Sequence, residues 1–161
     1  MDHVPTLHLF CGKIGSGKST LASRIGGEAA TILMSEDQLL ANLYPGEVLT
    51  IKDYVRCSER LRRTIGPHIV ELLRNGMSVA LDFQANTTAV RAWMRQLIEE
   101  TGCDHQLHLL QTPDPICRER LAARNAIGNH EYQVSEADFD LFSSYFVAPE
   151  SDEGFNIVPH G

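Results

Sequence analysis

Gly12-Lys13-Ile14-Gly15-Ser16-Gly17-Lys18-Ser19 is the stretch on which the reading of this chain turns. Gly12 and Gly17 bracket four residues and Lys18-Ser19 follow at once, the spacing of a loop whose backbone N–H groups close around phosphate oxygens. Gly12, Gly15 and Gly17 let the backbone take conformations closed to larger residues and bring it near a ligand. The loop N–H groups then converge at the positive end of the helix that follows. Lys18 is placed to reach the β- and γ-phosphates, the Ser19 hydroxyl to hold Mg²⁺, and Thr20 to meet a more inward phosphate. Composition alone would produce the pattern in roughly 0.6% of chains this long, so chance is a poor account of it.

Outward from the loop, the context agrees. An apolar strand is expected just before it, over residues 6–11, and a helix just after it, over 18–25, ending at Gly26-Gly27. A short strand at 31–34 leads into Ser35-Glu36-Asp37-Gln38, which has the form of a capping box and so starts a helix that Tyr44-Pro45-Gly46 stops. Leu61, Ile65, Ile69, Leu72 and Leu73 recur at helical spacing across 52–74, with Gly66-Pro67 expected to kink or divide the element. Strands are predicted at 78–83, 105–111 and 155–158. Helices are predicted around Val90–Ile98 spacing, over 115–126, and along Phe139, Phe142 and Phe146. Strands alternating with helices predict one α/β domain with about five mainly parallel strands flanked by helices, and with the loop at residues 12–19 they fit a compact P-loop NTPase core of kinase kind.

The chain has 161 residues, 43% hydrophobic and 22% charged, an ordinary globular balance that one domain accommodates. No apolar run reaches the roughly 18 residues of a membrane helix, and the first residues lack a signal-peptide pattern, so a cytoplasmic location is expected. Cys11, Cys57, Cys103 and Cys117 are scattered, without metal-ligand spacing, and are expected as reduced thiols. A net charge of -7 repels long polyanions and favours a small partner, although a local basic patch could still receive nucleic acid. A monomer or weak homodimer is expected.

The remaining parts of a phosphoryl-transfer site belong at strand ends, where ligands sit in open α/β sheets. Asp37, in the first turn after the second strand, could orient and deprotonate an acceptor hydroxyl; it could equally complement the helix dipole together with Glu36. Asp82 closes the apolar strand Ser78-Val79-Ala80-Leu81-Asp82, the arrangement in which a carboxylate holds Mg²⁺ directly or through water. Asn86, Thr87 and Thr88 are read as caps of the next helix. Arg120 and Arg124 share a helix face, with Arg118 nearby, and suggest a lid over about 118–135 that stabilises phosphate charge and excludes water. Arg56, Arg60, Arg62 and Arg63 form a second basic stretch, either a grip for an anionic acceptor or a solvated face. The seven histidines show no metal-ligand spacing.

Residues 12–20, Ser35-Glu36-Asp37, Leu81-Asp82, and Arg120 with Arg124-Asn125 together resemble the P-loop kinases grouped as AAA-domain or zeta-toxin-like proteins. That group includes polynucleotide 5′-hydroxyl kinase, chloramphenicol phosphotransferase and gluconate-kinase-like enzymes. The resemblance spans nearly the whole chain and implies a nucleotide-kinase-like sheet, Asp37 as general base, and lid arginines closing over ATP. It also implies adenine contacts for Arg124 and for the segment near the last strand. A phosphatase domain and a strongly basic channel, which would go with bifunctional polynucleotide kinases, are missing from the pattern. The expectation is a Mg²⁺-dependent transfer of the γ-phosphate of ATP to a hydroxyl of a small molecule or nucleotide. A polynucleotide 5′-hydroxyl kinase and an ATP-dependent switch without kinase activity are the alternatives.

Overall fold

The computed structural model describes residues 3–128 and 134–161. Residues 129–133, with His130, part of the expected lid loop, lie outside the described residues. The elements run β1 (Thr6–Cys11), α1 (Lys18–Gly26), β2 (Thr31–Ser35), α2 (Glu36–Leu43), α3 (Ile51–Arg74), β3 (Ser78–Gln84), α4 (Thr88–Thr101), β4 (Asp104–Leu110), α5 (Asp114–Ile127), α6 (Glu136–Ser144) and β5 (Ile157–His160). The strands form one sheet in the order β2-β3-β1-β4-β5, and every pairing is parallel. All five strands therefore end on the same edge, and that edge carries the chemistry.

β1 is central, and Leu7, Leu9, Phe10 and Cys11 are fully buried. Burial pushes the Cys11 thiol up to about 11, which keeps it a neutral apolar filler. One sheet face is covered by α1, where Leu21, Ala22 and Ile25 pack on Phe10 and Ala80. The other face carries α3 and α4, which bring Leu61, Ile69, Leu73, Met94 and Leu97 onto Leu7, Val79, Leu81 and Leu107. A small separate core of Cys117, Leu121, Val134 and Phe139 joins α5 to α6, with Ile14 of the phosphate-binding loop against it. Among the described residues, no helix is long and apolar enough to cross a membrane.

The expected break at Gly66-Pro67 does not divide the third helix; α3 runs unbroken for 24 residues with Pro67 inside it. An internal proline costs a helix about 3 kcal/mol. Past Pro67, however, Ile69, Val70 and Leu73 are at most 3% exposed, and each such burial is worth roughly 1.5–3 kcal/mol. Packing outweighs the proline. Gly66 matters to that packing, because a Cβ there would lie 3.3 Å from Trp93 Nε1 on α4.

Two buried polar devices hold the far side of the sheet. Arg91 of α4 is fully buried and ion-pairs with Glu153 (Nε to Oε1, 2.8 Å), while its Nη1 donates to the carbonyls of Ala85 (2.9 Å) and Val147 (2.7 Å). It thereby fastens the segment leading to β5. His8, His108 and His160, from β1, β4 and β5, form a hydrogen-bonded chain at 3.1 Å and 2.9 Å. Burial, with His8 and His160 as neighbours, depresses His108 from its ordinary value of 6.5 to about 4.

The unfolded chain protonates His108 near pH 6.5 and the folded chain only near 4, so the stability it contributes is complete above pH 6.5 and is lost as the pH falls toward 4. Chemical denaturation at pH 7 and pH 4.5 should show a loss of roughly 2–3 kcal/mol from this group. A His108→Gln protein should lose correspondingly less over the same interval.

Candidate active site

The phosphate-binding loop leaves β1 and returns as α1, whose N-cap is Gly17 in the left-handed region (φ 103°). Gly15 is needed twice over. Its φ is +80°, and a Cβ would lie 2.6 Å from the carbonyl oxygen of Cys117 at the start of α5. The loop and α5 thus meet backbone to backbone. Thr112 Oγ1 donates to the Ser16 carbonyl at 2.8 Å, which fixes the same contact from β4's side.

On the other side the loop is clamped to β3. The Asn86 side-chain amide accepts from the Gly12 N–H at 3.0 Å and donates to the Gly12 carbonyl at 2.9 Å. Asn86 was expected as a helix cap. Thr87 alone fills that place, its hydroxyl accepting from the Val90 N–H at 3.3 Å. The sequence carries no local sign of the clamp, because its partner is 74 residues away.

Ser19 Oγ donates to Asp82 Oδ2 at 2.9 Å. A hydroxyl and a carboxylate side by side, both hard oxygen donors, make the pair that could hold Mg²⁺. Burial raises the Asp82 carboxyl above its usual range, against the pull of the Ser19 hydrogen bond and the Lys18 charge. A cation beside it would relieve that strain. No cluster of three or more His, Cys, Asp or Glu able to hold a metal exists among the described residues. Ser16 Oγ is buried without a hydrogen-bond partner among the described residues, which fits a loop completed by a ligand.

Lys18 is buried, and its Nζ donates to the carbonyls of Gly12 and, at 3.0 Å, Lys13. Burial lowers its pKa, while Asp82 and, less strongly, Asp37 raise it. Asp37 is thus within electrostatic reach of Lys18. Its neighbour Glu36 has a different fate. It is 3% exposed and accepts hydrogen bonds from Tyr54 Oη and, at 2.6 Å, Ser58 Oγ. Burial raises its pKa, and those two bonds oppose the rise. Glu36 ties α2 to α3 and leaves Asp37 as the partly exposed carboxylate of the pair.

These groups line one cleft of about 1180 Å³, which brings together residues 14–20, Asp37, Asp82, Arg120 and Arg124. Arg120 Nη1 lies on the loop, donating to the Ser16 carbonyl at 3.1 Å. Lys13 contributes backbone only, since its ammonium pairs with Asp114 at 3.0 Å. Arg118 is not part of the cleft: it pairs with Asp140 at 2.6 Å and lies over the Phe139 ring, joining α5 to α6. None of Arg56, Arg60, Arg62 and Arg63 lines the cleft. Arg56 pairs with Asp53, and Arg62 reaches Ser58 Oγ at 2.9 Å. Thr50 and Tyr54, not singled out in the sequence, do line it, and so does His160, from the segment near the last strand to which the resemblance pointed.

A family model described as AAA domain matches residues 7–149. Among solved structures, a protein of Chloroflexus aurantiacus J-10-fl provisionally assigned as a kinase is 18% identical (TM-score 0.76), covering 98% of this chain and 85% of that one. The Mycobacterium tuberculosis APS kinase CysC, in complex with AMPPNP and APS, is 24% identical (TM-score 0.57), covering 78% and 75%. Chaetomium thermophilum Kti12, in complex with ADP-AlF3, is 13% identical (TM-score 0.66), covering 96% and 89%. No curated protein matches. The likenesses establish a P-loop fold shared with kinases.

The Asn86 clamp predicts an asymmetric result. Asn86→Ala, which leaves both Gly12 groups without a partner, should cost on the order of 2 kcal/mol in denaturant unfolding and weaken ATP binding. Asn86→Asp keeps the acceptor but sets a carboxylate against the Gly12 carbonyl, so its loss should be at least as large.

Proposed function

The chain belongs to the AAA domain family, and on that premise we propose that it transfers the γ-phosphate of ATP to a hydroxyl of a small acceptor. The observation that carries this reading is the single cleft that joins the phosphate-binding loop and the Ser19–Asp82 pair to Asp37. A protein that only held nucleotide would need the first two. A carboxylate facing them across a cleft is what a transfer to an alcohol adds.

In the proposed reaction the loop N–H groups and Lys18 bind the triphosphate, Lys18 exchanging the Gly12 and Lys13 carbonyls for phosphate oxygens. Ser19 and Asp82 are the residues that would hold Mg²⁺, which when bound neutralises phosphate charge. Arg120, already lying on the loop, and Arg124 from the next turn of α5 stabilise the charge that spreads over the transferring group. Asp37 orients the acceptor hydroxyl and takes its proton. The absence of a guanine-reading Asn-Lys-x-Asp sequence favours ATP over GTP. Cys117, Leu121, Val134 and Phe139 tie α5 to α6, so both arginines ride on an element with its own small core.

Asp37→Asn is the decisive variant. It should leave ATP binding within about twofold and abolish transfer to the acceptor; full activity in the variant would overturn the proposed base. Ser19→Ala should instead weaken Mg-ATP binding together with turnover. Slow hydrolysis that no hydroxyl acceptor changes, coupled to ATP-dependent capture of a protein, would support the switch instead.

A further inference from the structure

A buried row of polar side chains stands behind the start of α2. Tyr54, Ser58 and Arg62 lie four residues apart on α3, so they line up on one face of the helix. The row ends on Glu36, the first residue of α2. Arg62 Nη1 donates to Ser58 Oγ at 2.9 Å, Ser58 Oγ donates to Glu36 Oε2 at 2.6 Å, and Tyr54 Oη donates to Glu36 Oε1. All three bonds run toward the carboxylate, and both of its oxygens are met. Burial raises the Glu36 pKa, with Asp37 adding to the rise; the Ser58 and Tyr54 bonds and the Arg62 charge oppose it.

The proposed reaction leaves this row unused. A carboxylate that only complemented the α2 dipole would do so from solvent, whereas Glu36 is 3% exposed and Ser58 1%. A buried charged network adds little stability over an apolar filling of the same volume. What it does supply is direction, because hydrogen bonds fix an angle and a distance where apolar contacts slide. Asp37 is the next residue along. Successive residues of a helix point about 100° apart, so pinning Glu36 onto α3 turns Asp37 away from it, and Asp37 lines the cleft. On the other side, Ser35 is held in register with Asp82 of β3, and Asp82 receives the Ser19 hydroxyl. The first turn of α2 is therefore fixed between β3 and α3, and with it the distance from Asp37 to the Ser19–Asp82 pair.

Resting on the phosphotransferase reading above, we propose that Glu36, Ser58 and Tyr54 are positioning residues for transfer, holding Asp37 at the distance from the γ-phosphate that proton removal requires. They act through Asp37 and take no proton themselves. Ser58 and Arg62 do not line the cleft, so neither touches ATP or the acceptor. Transfer depends steeply on such placement: an error of about 1 Å at a reacting group costs on the order of a hundredfold in rate. ATP binding does not depend on it, since the loop, Lys18 and Arg120 belong to elements outside the row.

The test is release of labelled phosphate from γ-labelled ATP by the full chain, with water in the acceptor's place. The water oxygen bonds to the γ-phosphorus, and a water proton passes to Asp37. The bond to the β,γ-bridging oxygen breaks, its electron pair leaving on ADP. Ser58→Ala is the leading variant. Tyr54→Phe, which keeps the ring and the Ser58 bond, stands in for it should the first fail to fold. Each should lower kcat about tenfold and leave the KM for ATP within about twofold. Glu36→Ala should lose more, and Glu36→Gln, which keeps the length and one accepting oxygen, should recover part of that loss. An unchanged kcat in the folded variants, a loss carried only by KM, or no recovery in Glu36→Gln would overturn this inference while Asp37→Asn stayed inactive. Full activity in Asp37→Asn, or release by the wild type no faster than from ATP in buffer, would overturn the phosphotransferase reading itself.

Discussion

Two hydrogen bonds between the Asn86 amide and the Gly12 peptide fix the end of β3 to the end of β1. Both strands stop there because parallel strands finish on one edge, but pairing alone does not set where the loop lies. The β1–β3 register breaks after Leu9, so that Phe10 stands opposite Gln84, and the Phe10 carbonyl takes the Ala85 N–H at 3.1 Å. The chain just past β3 is thus drawn over the mouth of the loop. Asp82 is carried by the same strand four residues before Asn86, so the clamp that holds Gly12 also sets the approach of Asp82 to Ser19. A neutral amide suits this task. It satisfies a donor and an acceptor at once and adds no charge beside the phosphates.

The other flank of the edge depends on Arg91. A guanidinium with no exposure is costly unless its donors are met. Here they reach Glu153 and the carbonyls of Ala85 and Val147. One side chain thereby joins α4, the end of β3 and the segment that feeds β5. β5 in turn delivers His160 to the cleft and closes the histidine chain through His108 to His8. The chain tolerates burial because neutral imidazole can donate at one nitrogen and accept at the other. Protonation of its middle member would bury a charge beside two further histidines, which is why acid acts against the folded state here.

What was legible in the sequence follows from how far the determining partner lies. The loop and the first strand depend on nearby residues, and each is found where it was expected. The pairing of Ser19 with Asp82 is long-range but was still readable, because a strand ending in Asp beside a phosphate loop is a compound pattern. Pro67 shows the reverse case. Its local effect is unfavourable, and only the burial of Ile69, Val70 and Leu73 against the sheet reverses the outcome. Asn86 and Arg118 were misplaced for the same reason, since their partners Gly12 and Asp140 are distant in sequence and carry no spacing rule. β5 was expected at 155–158 but spans Ile157–His160; Phe155 packs on His105 instead, and the Asn156 N–H donates to the same ring.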